Sequence, residues 1–439
     1  MVPSKEKTLM QRPGTRRDFI KQAGAGASLL GMGGLLAACG GGGSTSTSTS
    51  AATNAATAAK GPIDVGLLNS LSGNLSIVEV PLHNVSLMAI DEINAAGGVN
   101  GRQLKAISQD YASDFTQAVQ KSDTLINKYD VAITIGGYTS ASRVAVIPTF
   151  RDNDAIFFYG TYFEGLECDP NVFYSGAVPN QFLIDYVPWI LSNLGKTFYI
   201  VGSDYVYPRT VSAIVRKLVA QGGGKVVADR YFPLGTTDFG AVISDIGTVK
   251  PDVVFSNLVA DSVPAFYKQY RSAGFTAAKN PIAATVTTED EVAAMGAENG
   301  AGHYMSATYF QSLPNDNNKK FVEAYQSKYG ADAVTFMPLV GTYNAVWLFA
   351  KAAAKAPDLS PASLSKALIG ATFDENPEGA PITIASDHFC NHPSYIGQAN
   401  KQGQYDIVKS FESRPADPFP PQVVPAGKRP ECPVATVGK

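Results

Sequence analysis

Six short stretches of this 439-residue chain end an apolar run in side chains that could hold a small polar molecule: "LLNSLSG", "GGYTSAS", "FYGTYFEG", "VGSDYVYPR", "LVADS" and "TVTTEDE". They are rich in hydroxyls and tyrosines, with Asp261 as a recurring acid and no lysine or arginine set to receive a phosphate. In "GGYTSAS", Gly136 and Gly137 allow a tight turn and Tyr138 supplies a flat wall. Thr139 and Ser140 then fall where a helix begins, with free N–H groups suited to a carbonyl oxygen. The plainer reading is that Ser140 caps that helix and Tyr138 packs between lobes. Catalysis is not expected. His83, His303, His388 and His392 lie outside these loops, no G-x-S-x-G elbow occurs, and no second carboxylate suits general acid work. "DHFCNH" would put His388, Cys390 and His392 on one strand face, but a fourth ligand is unassigned and a disulfide competes for the thiol, so no metal is expected. No cofactor is expected either.

The elements that position these loops alternate. "IDVGLLNS" reads as a strand, and Leu82, Val85, Ala89, Ile93 and Ala96 then share one helical face that stops at Gly97 and Gly98. "QLKAISQD", "VAITIGG" and "AIFFYG" continue as strands, with helices over Phe115 to Asn127 and Ser140 to Arg151 between them. A helix over Gln181 to Leu194 leads to a second series: "TFYIVGS", "GKVVADRYF", "PDVVFSNL", "PIAAT" and "GHYMSAT". Two such series predict an α/β protein of two doubly wound parallel-sheet lobes with a hinge and a cleft between them. Ligands of open α/β sheets bind beyond the carboxyl ends of the strands, where the six stretches fall. The helical run Pro338 to Ala356 is expected to return to the first lobe, and the strand-like segment beyond Phe373 to the second.

The N-terminus carries an address. "TRRDFIK" reads as a twin-arginine export motif, and Ala23 to Ala38 is an apolar stretch too short for a comfortable span. "LAAC" ends it as a lipobox, with Cys39 the expected lipidated first residue. A Gly/Ser/Thr/Ala run to residue 60 cannot fold and reads as a tether. With 45% hydrophobic and 17% charged residues, the rest has ample core. The formal charge is −3, and without the first 38 residues it is −7, which leaves no footprint for nucleic acid. Cys168, Cys390 and Cys432 remain for an oxidising compartment. Pairing Cys390 with Cys432 would tie the proline-rich tail to the body.

From Ile63 to about Val408 the chain resembles the type I periplasmic binding proteins of the branched-chain amino acid family. "EINAAGGVNGR" carries the broad likeness, while "TSASR", "EGLECDPN" and "GSDYVYPR" resemble the urea and short-chain amide receptors. The resemblance implies a first lobe of residues 61–178 with 312–372, a second of 179–311 with 373–414, and a tail of 415–439. It implies ligand contacts from Tyr138, Ser140, Tyr159 and Thr161 on one side and Tyr205, Asp261 and Thr287 on the other. Urea or a short amide would be captured by cleft closure and handed to an ABC permease. An amino acid receptor and an amide sensor are the alternatives. Planar, uncharged urea needs acceptors on two sides, donors on one, and aromatic faces. Asp261 and Thr161 are expected to accept, Ser140 to donate, and Tyr138, Tyr159 and Tyr205 to form walls. Asp204 with Arg209 reads as a structural ion pair, Tyr207 and Glu164 as supports, and Asp261 and Thr288 also as helix caps. The chain departs from the urea and amide pattern at Met337 and Val340, where acids are usual, and at Gly160 and Tyr162, where prolines are common.

Overall fold

Ile63–Asn69 form β1, and nearly every residue of it is buried. A strand covered on both faces needs a continuous apolar run rather than alternation, which "IDVGLLN" largely supplies. This computed structural model describes residues 61–430 and Cys432; the expected export signal, Cys39 and the tether lie outside the described residues. After β1 come α1 (Ser76–Ala95), β2 (Leu104–Asp110), α2 (Phe115–Asp123), β3 (Ile133–Gly136), α3 (Ser140–Asp152), β4 (Phe157–Tyr159) and β5 (Val172–Tyr174). The helix expected to reach Asn127 leaves α geometry at Asp123 and continues as a π turn, Thr124–Lys128.

These strands form a parallel sheet in the order β2-β1-β3-β4-β5. The chain moves one way from β1 to β2 and the other way to β3, so the crevice opens beyond the carboxyl ends of β1 and β3. Leu68 of β1 lies beside Gly136 of β3. Gly136 has φ of +147°, and a Cβ there would stand 2.0 Å from the Leu68 carbonyl oxygen. Only glycine lets the two strand ends approach so closely.

Two short helices, α4 (Pro179–Phe182) and α5 (Tyr186–Asn193), stand where the sequence predicts one. Then follow β6 (Thr197–Ser203), α6 (Val206–Gln221), β7 (Lys225–Phe232), α7 (Gly240–Val249), β8 (Val253–Asn257), α8 (Ser262–Ser272), β9 (Ile282–Ala284), α9 (Glu289–Met295), α10 (Ala297–Gly300) and β10 (Tyr304–Ala307). α11 (Asp316–Tyr329), α12 (Met337–Lys355) and α13 (Pro361–Leu368) come next. α11 and α12 return to the first sheet: Tyr329 donates to the Asn84 carbonyl of α1 at 2.5 Å, and Tyr343 to Glu92 at 2.6 Å. A two-stranded ribbon, β11 (Thr372–Phe373) with β12 (Ile382–Thr383), precedes β13 (His392–Ala399) and β14 (Tyr405–Arg414).

The second sheet runs β14-β13-β10-β9-β8-β6-β7. Its far edge is not parallel, because β13 is antiparallel to both β10 and β14. β14 follows β13 after a turn of five residues, too short for the crossover that a parallel pairing needs, so these two strands form a hairpin. Beyond β14 the proline-rich segment crosses back to the first lobe. There the Leu166 N–H donates to the Pro418 carbonyl at 2.7 Å, after Asn180 of α4 in the second lobe has donated to the Pro415 carbonyl at 2.9 Å.

Candidate functional site

β3 ends at Gly136, and Gly137, with φ of +72°, swings the chain so that Tyr138 turns inward. Tyr138 is buried, and burial together with nearby Glu291, Tyr205 and Asp290 pushes its phenol well above the usual range. Asp290 and Glu291 open α9 and Tyr205 precedes α6, all among the elements of the second sheet, so Tyr138 stands where the lobes meet. Thr139, not Ser140, caps α3: its hydroxyl oxygen accepts the Ser142 N–H at 3.1 Å. Ser140, the first helical residue, is free for another task and donates to Glu164 Oε2 at 2.5 Å. Tyr159 donates to the Tyr138 carbonyl at 2.5 Å, and Thr161 more weakly to the Gly137 carbonyl at 3.4 Å.

Behind this wall lies Arg143, the only arginine or lysine among the buried described residues. Its guanidinium donates to Glu164 Oε1 at 3.1 Å and to Glu167 Oε1 at 3.0 Å, and it lies over the rings of Phe163 and Tyr159 at 4.3 and 4.9 Å. Its Nη1 is buried without a partner among the described residues. Two carboxylates beside one cation leave this support net negative. It offers no excess positive charge to an anionic ligand.

On the second lobe, Tyr205 precedes α6 and is half-buried, within electrostatic reach of Tyr159 and Glu164 across the cleft. Tyr207 is fully buried, donates to or accepts from Thr285 at 3.1 Å, and its ring stands 5.5 Å from that of Tyr162. Asp261 occupies the position before α8 but its side chain makes no cap bond, and partial burial raises its carboxyl above the usual range. Thr288 caps α9: its N–H donates to Glu291 Oε2 at 2.7 Å and its hydroxyl donates to Asp290. Burial raises the Asp290 and Glu291 carboxyls, and Asp290 Oδ2 has no partner among the described residues.

Tyr159 and Thr161 are thus bonded to the Gly137–Tyr138 backbone and Ser140 to Glu164, and Tyr205 of the second lobe lies within electrostatic reach of Tyr159 and Glu164. Thr287 is differently placed. Its hydroxyl pairs with Tyr267 at 3.1 Å and its carbonyl accepts from Tyr405, so both polar groups are engaged within the second lobe. Asp290 and Glu291, three and four residues further on, lie within electrostatic reach of Tyr138. Three acids opening a helix read in sequence as ordinary dipole compensation, which hides that they are buried. Glu164 was expected only as a support, and its bond to Ser140 has no sequence signal because 24 residues separate them.

Other expectations resolve locally. Asp204 and Arg209 form the expected ion pair at 2.8 Å, about half exposed. The Cys390–Cys432 disulfide is corrected: Cys432 bonds Cys168, with Cα atoms 5.4 Å apart, and Cys390 is buried as a free thiol. The tail docks on the loop after β4, which holds Cys168 at the surface, while Cys390 packs inward where burial pushes its thiol up. His388 stacks on Phe173 at 4.0 Å, and His392 pairs with Glu378 at 2.7 Å. Met337 and Val340, the apolar departures, are buried. Gly160 is required by packing, since a Cβ there would meet the Thr342 backbone of α12 at 2.8 Å.

A family model described as "Periplasmic binding protein domain" matches residues 63–424. The chain is 37% identical over 126 residues to a Geobacillus stearothermophilus protein named limonene hydroxylase, a match covering 28% of this chain and only 23% of that protein. It is 26% identical over 308 residues to the leucine-, isoleucine-, valine-, threonine- and alanine-binding protein of Pseudomonas aeruginosa, covering 67% of this chain and 78% of that one. The solute-binding protein of an ABC transporter from R. palustris, solved with benzoate, superposes with a TM-score of 0.73 at 21% identity, covering 81% of this chain and 98% of that one.

Proposed function

The chain belongs to the periplasmic binding protein domain family, and from that premise we propose that it captures urea or a short-chain amide outside the cytoplasm and passes it to an ABC permease. The observation that carries this reading is the neutralised cation: Arg143 lies between Glu164 and Glu167 and is wholly buried. A carboxylate ligand would meet a net negative support, whereas an uncharged amide costs less to desolvate than an ion and recovers that cost through hydrogen bonds in the site. Phenol rings of Tyr138, Tyr159 and Tyr205 suit a flat molecule. Asp261 and Asp290 supply acceptors toward which amide N–H groups can point. The solute bridges both lobes, so it favours the arrangement in which they meet.

The export motif and lipobox support delivery through the twin-arginine route and anchoring through Cys39. No helix among the described residues is long and apolar enough to cross a membrane. A second reading, a branched-chain amino acid, is favoured by the unpartnered Asp290 Oδ2, which could hold an ammonium while the first-turn N–H groups of α3 hold the carboxylate.

Calorimetric titration of the full-length protein with urea, formamide, acetamide, leucine and glutamate tests the proposal. Urea has about four heavy atoms, and a ceiling near ~1.5 kcal/mol for each allows a Kd on the order of tens of micromolar. Binding of urea or acetamide in that range, weakened in Tyr138→Ala, is expected. Heat from leucine alone would shift the reading to the amino acid.

A further inference from the structure

The polarity of the first lobe's hydroxyls is fixed from behind. Ser140 Oγ lies 2.5 Å from Glu164 Oε2, and the other oxygen of that carboxylate accepts from Arg143 at 3.1 Å. Both residues are buried, Arg143 at 0% and Glu164 at 2% exposure. A carboxylate has no proton to give, so the hydroxyl of Ser140 must be the donor in this bond. One hydrogen is all a serine has. Toward the cleft Ser140 presents lone pairs only.

The neighbouring hydroxyls point the same way. Tyr159 directs its proton to the Tyr138 carbonyl and Thr161 to the Gly137 carbonyl. The protons of all three hydroxyls are thus spent on partners within the first lobe. This reverses the expected role of Ser140 as a donor to a carbonyl.

We propose that Glu164 is a positioning residue that makes the Ser140 hydroxyl an acceptor, so that the first lobe takes the N–H edge of the ligand and leaves its carbonyl to other donors. The inference rests on the amide reading above and sharpens it: the ligand class must present at least one N–H₂ group. Isosteric acids, which carry only acceptors, are excluded by mismatch. Gln at position 164 would keep its oxygen on Arg143 and turn its amide N–H toward Ser140. The serine proton would then swing into the cleft.

The test is titration of the full-length wild type, Glu164→Gln, Ser140→Ala and the double variant with acetamide and with acetate, which has nearly the same shape but no N–H. Losing a buried bond of this kind corresponds to about tenfold or more. The wild type is expected to prefer acetamide. Each single variant should lose about tenfold for acetamide, and the double variant should lose no more than the worse single one. Glu164→Gln should also shift preference toward acetate, and that shift should vanish when Ser140 is alanine. A shift that persists without the serine would mark a general charge effect and overturn the proposal, as would unchanged acetamide affinity in Glu164→Gln. Should Glu164→Gln not fold, Ser140→Thr serves: its hydroxyl can still donate to Glu164, so affinity within about threefold of wild type is expected, and a loss equal to that of Ser140→Ala overturns the inference. A wild type that binds no amide or urea overturns the ligand class itself, and this inference with it.

Discussion

Glu79 shows how much a single residue's surroundings change its chemistry. It is fully buried, accepts the Ser70 N–H at 2.8 Å and the Tyr111 hydroxyl, and burial pushes its carboxyl up to about 8. Between the ordinary value of 4.5 and about 8 the folded protein keeps a proton that the unfolded chain has released. The stability contributed by Glu79 is therefore fullest below that window and is lost as pH rises through it. Glu79→Gln should flatten this slope, so the variant's melting temperature is expected to gain on the wild type steadily from pH 5 to pH 8 in paired thermal scans. Parallel curves would mean that Glu79 stays ionised. Nothing in "SIVEV" announces a buried acid, because the partner Tyr111 arrives from the far end of β2.

At the scale of elements, the loop after β4 is the most heavily constrained part of the site. It carries Thr161, Glu164 and Glu167, and the crossing tail grips it through the Leu166–Pro418 bond and the Cys168–Cys432 disulfide. The two cysteines lie 264 residues apart, a closure that constrains the unfolded chain strongly. Such bonds contribute roughly 2–4 kcal/mol. Cys432→Ser is accordingly expected to lower stability in chemical denaturation by a few kcal/mol, and limited proteolysis should cut the tail near Pro415 sooner than in the wild type. Equal stability and equal cutting would show that the non-covalent contacts alone hold the tail. The strand and helix sequence was legible from periodicity, but the split of the expected Gln181–Leu194 helix and the antiparallel edge were not. Both are set by where the chain must turn between lobes, which local propensity does not record.

At the scale of the molecule, the proposed capture mechanism predicts closure of the lobes. Tyr162 of one lobe meets Tyr207 of the other at 5.5 Å, a contact that can exist only when the lobes are together. Small-angle scattering of the full-length protein should therefore report a smaller radius of gyration with urea or acetamide than without; an unchanged profile at saturation would remove closure from the mechanism. The sequence by itself determined the alternation of strands and helices, the two series, the glycine turn before Tyr138 and the loops at the strand ends. Each of these is written in local periodicity, turn chemistry or motif. Only the tertiary structure decided that Glu164 stands behind Ser140, that the buried acids Asp290 and Glu291 come within electrostatic reach of Tyr138, and which cysteine the tail reaches. Those outcomes depend on which distant side chains share a buried volume, where the cost of an unpaired polar group selects the partner.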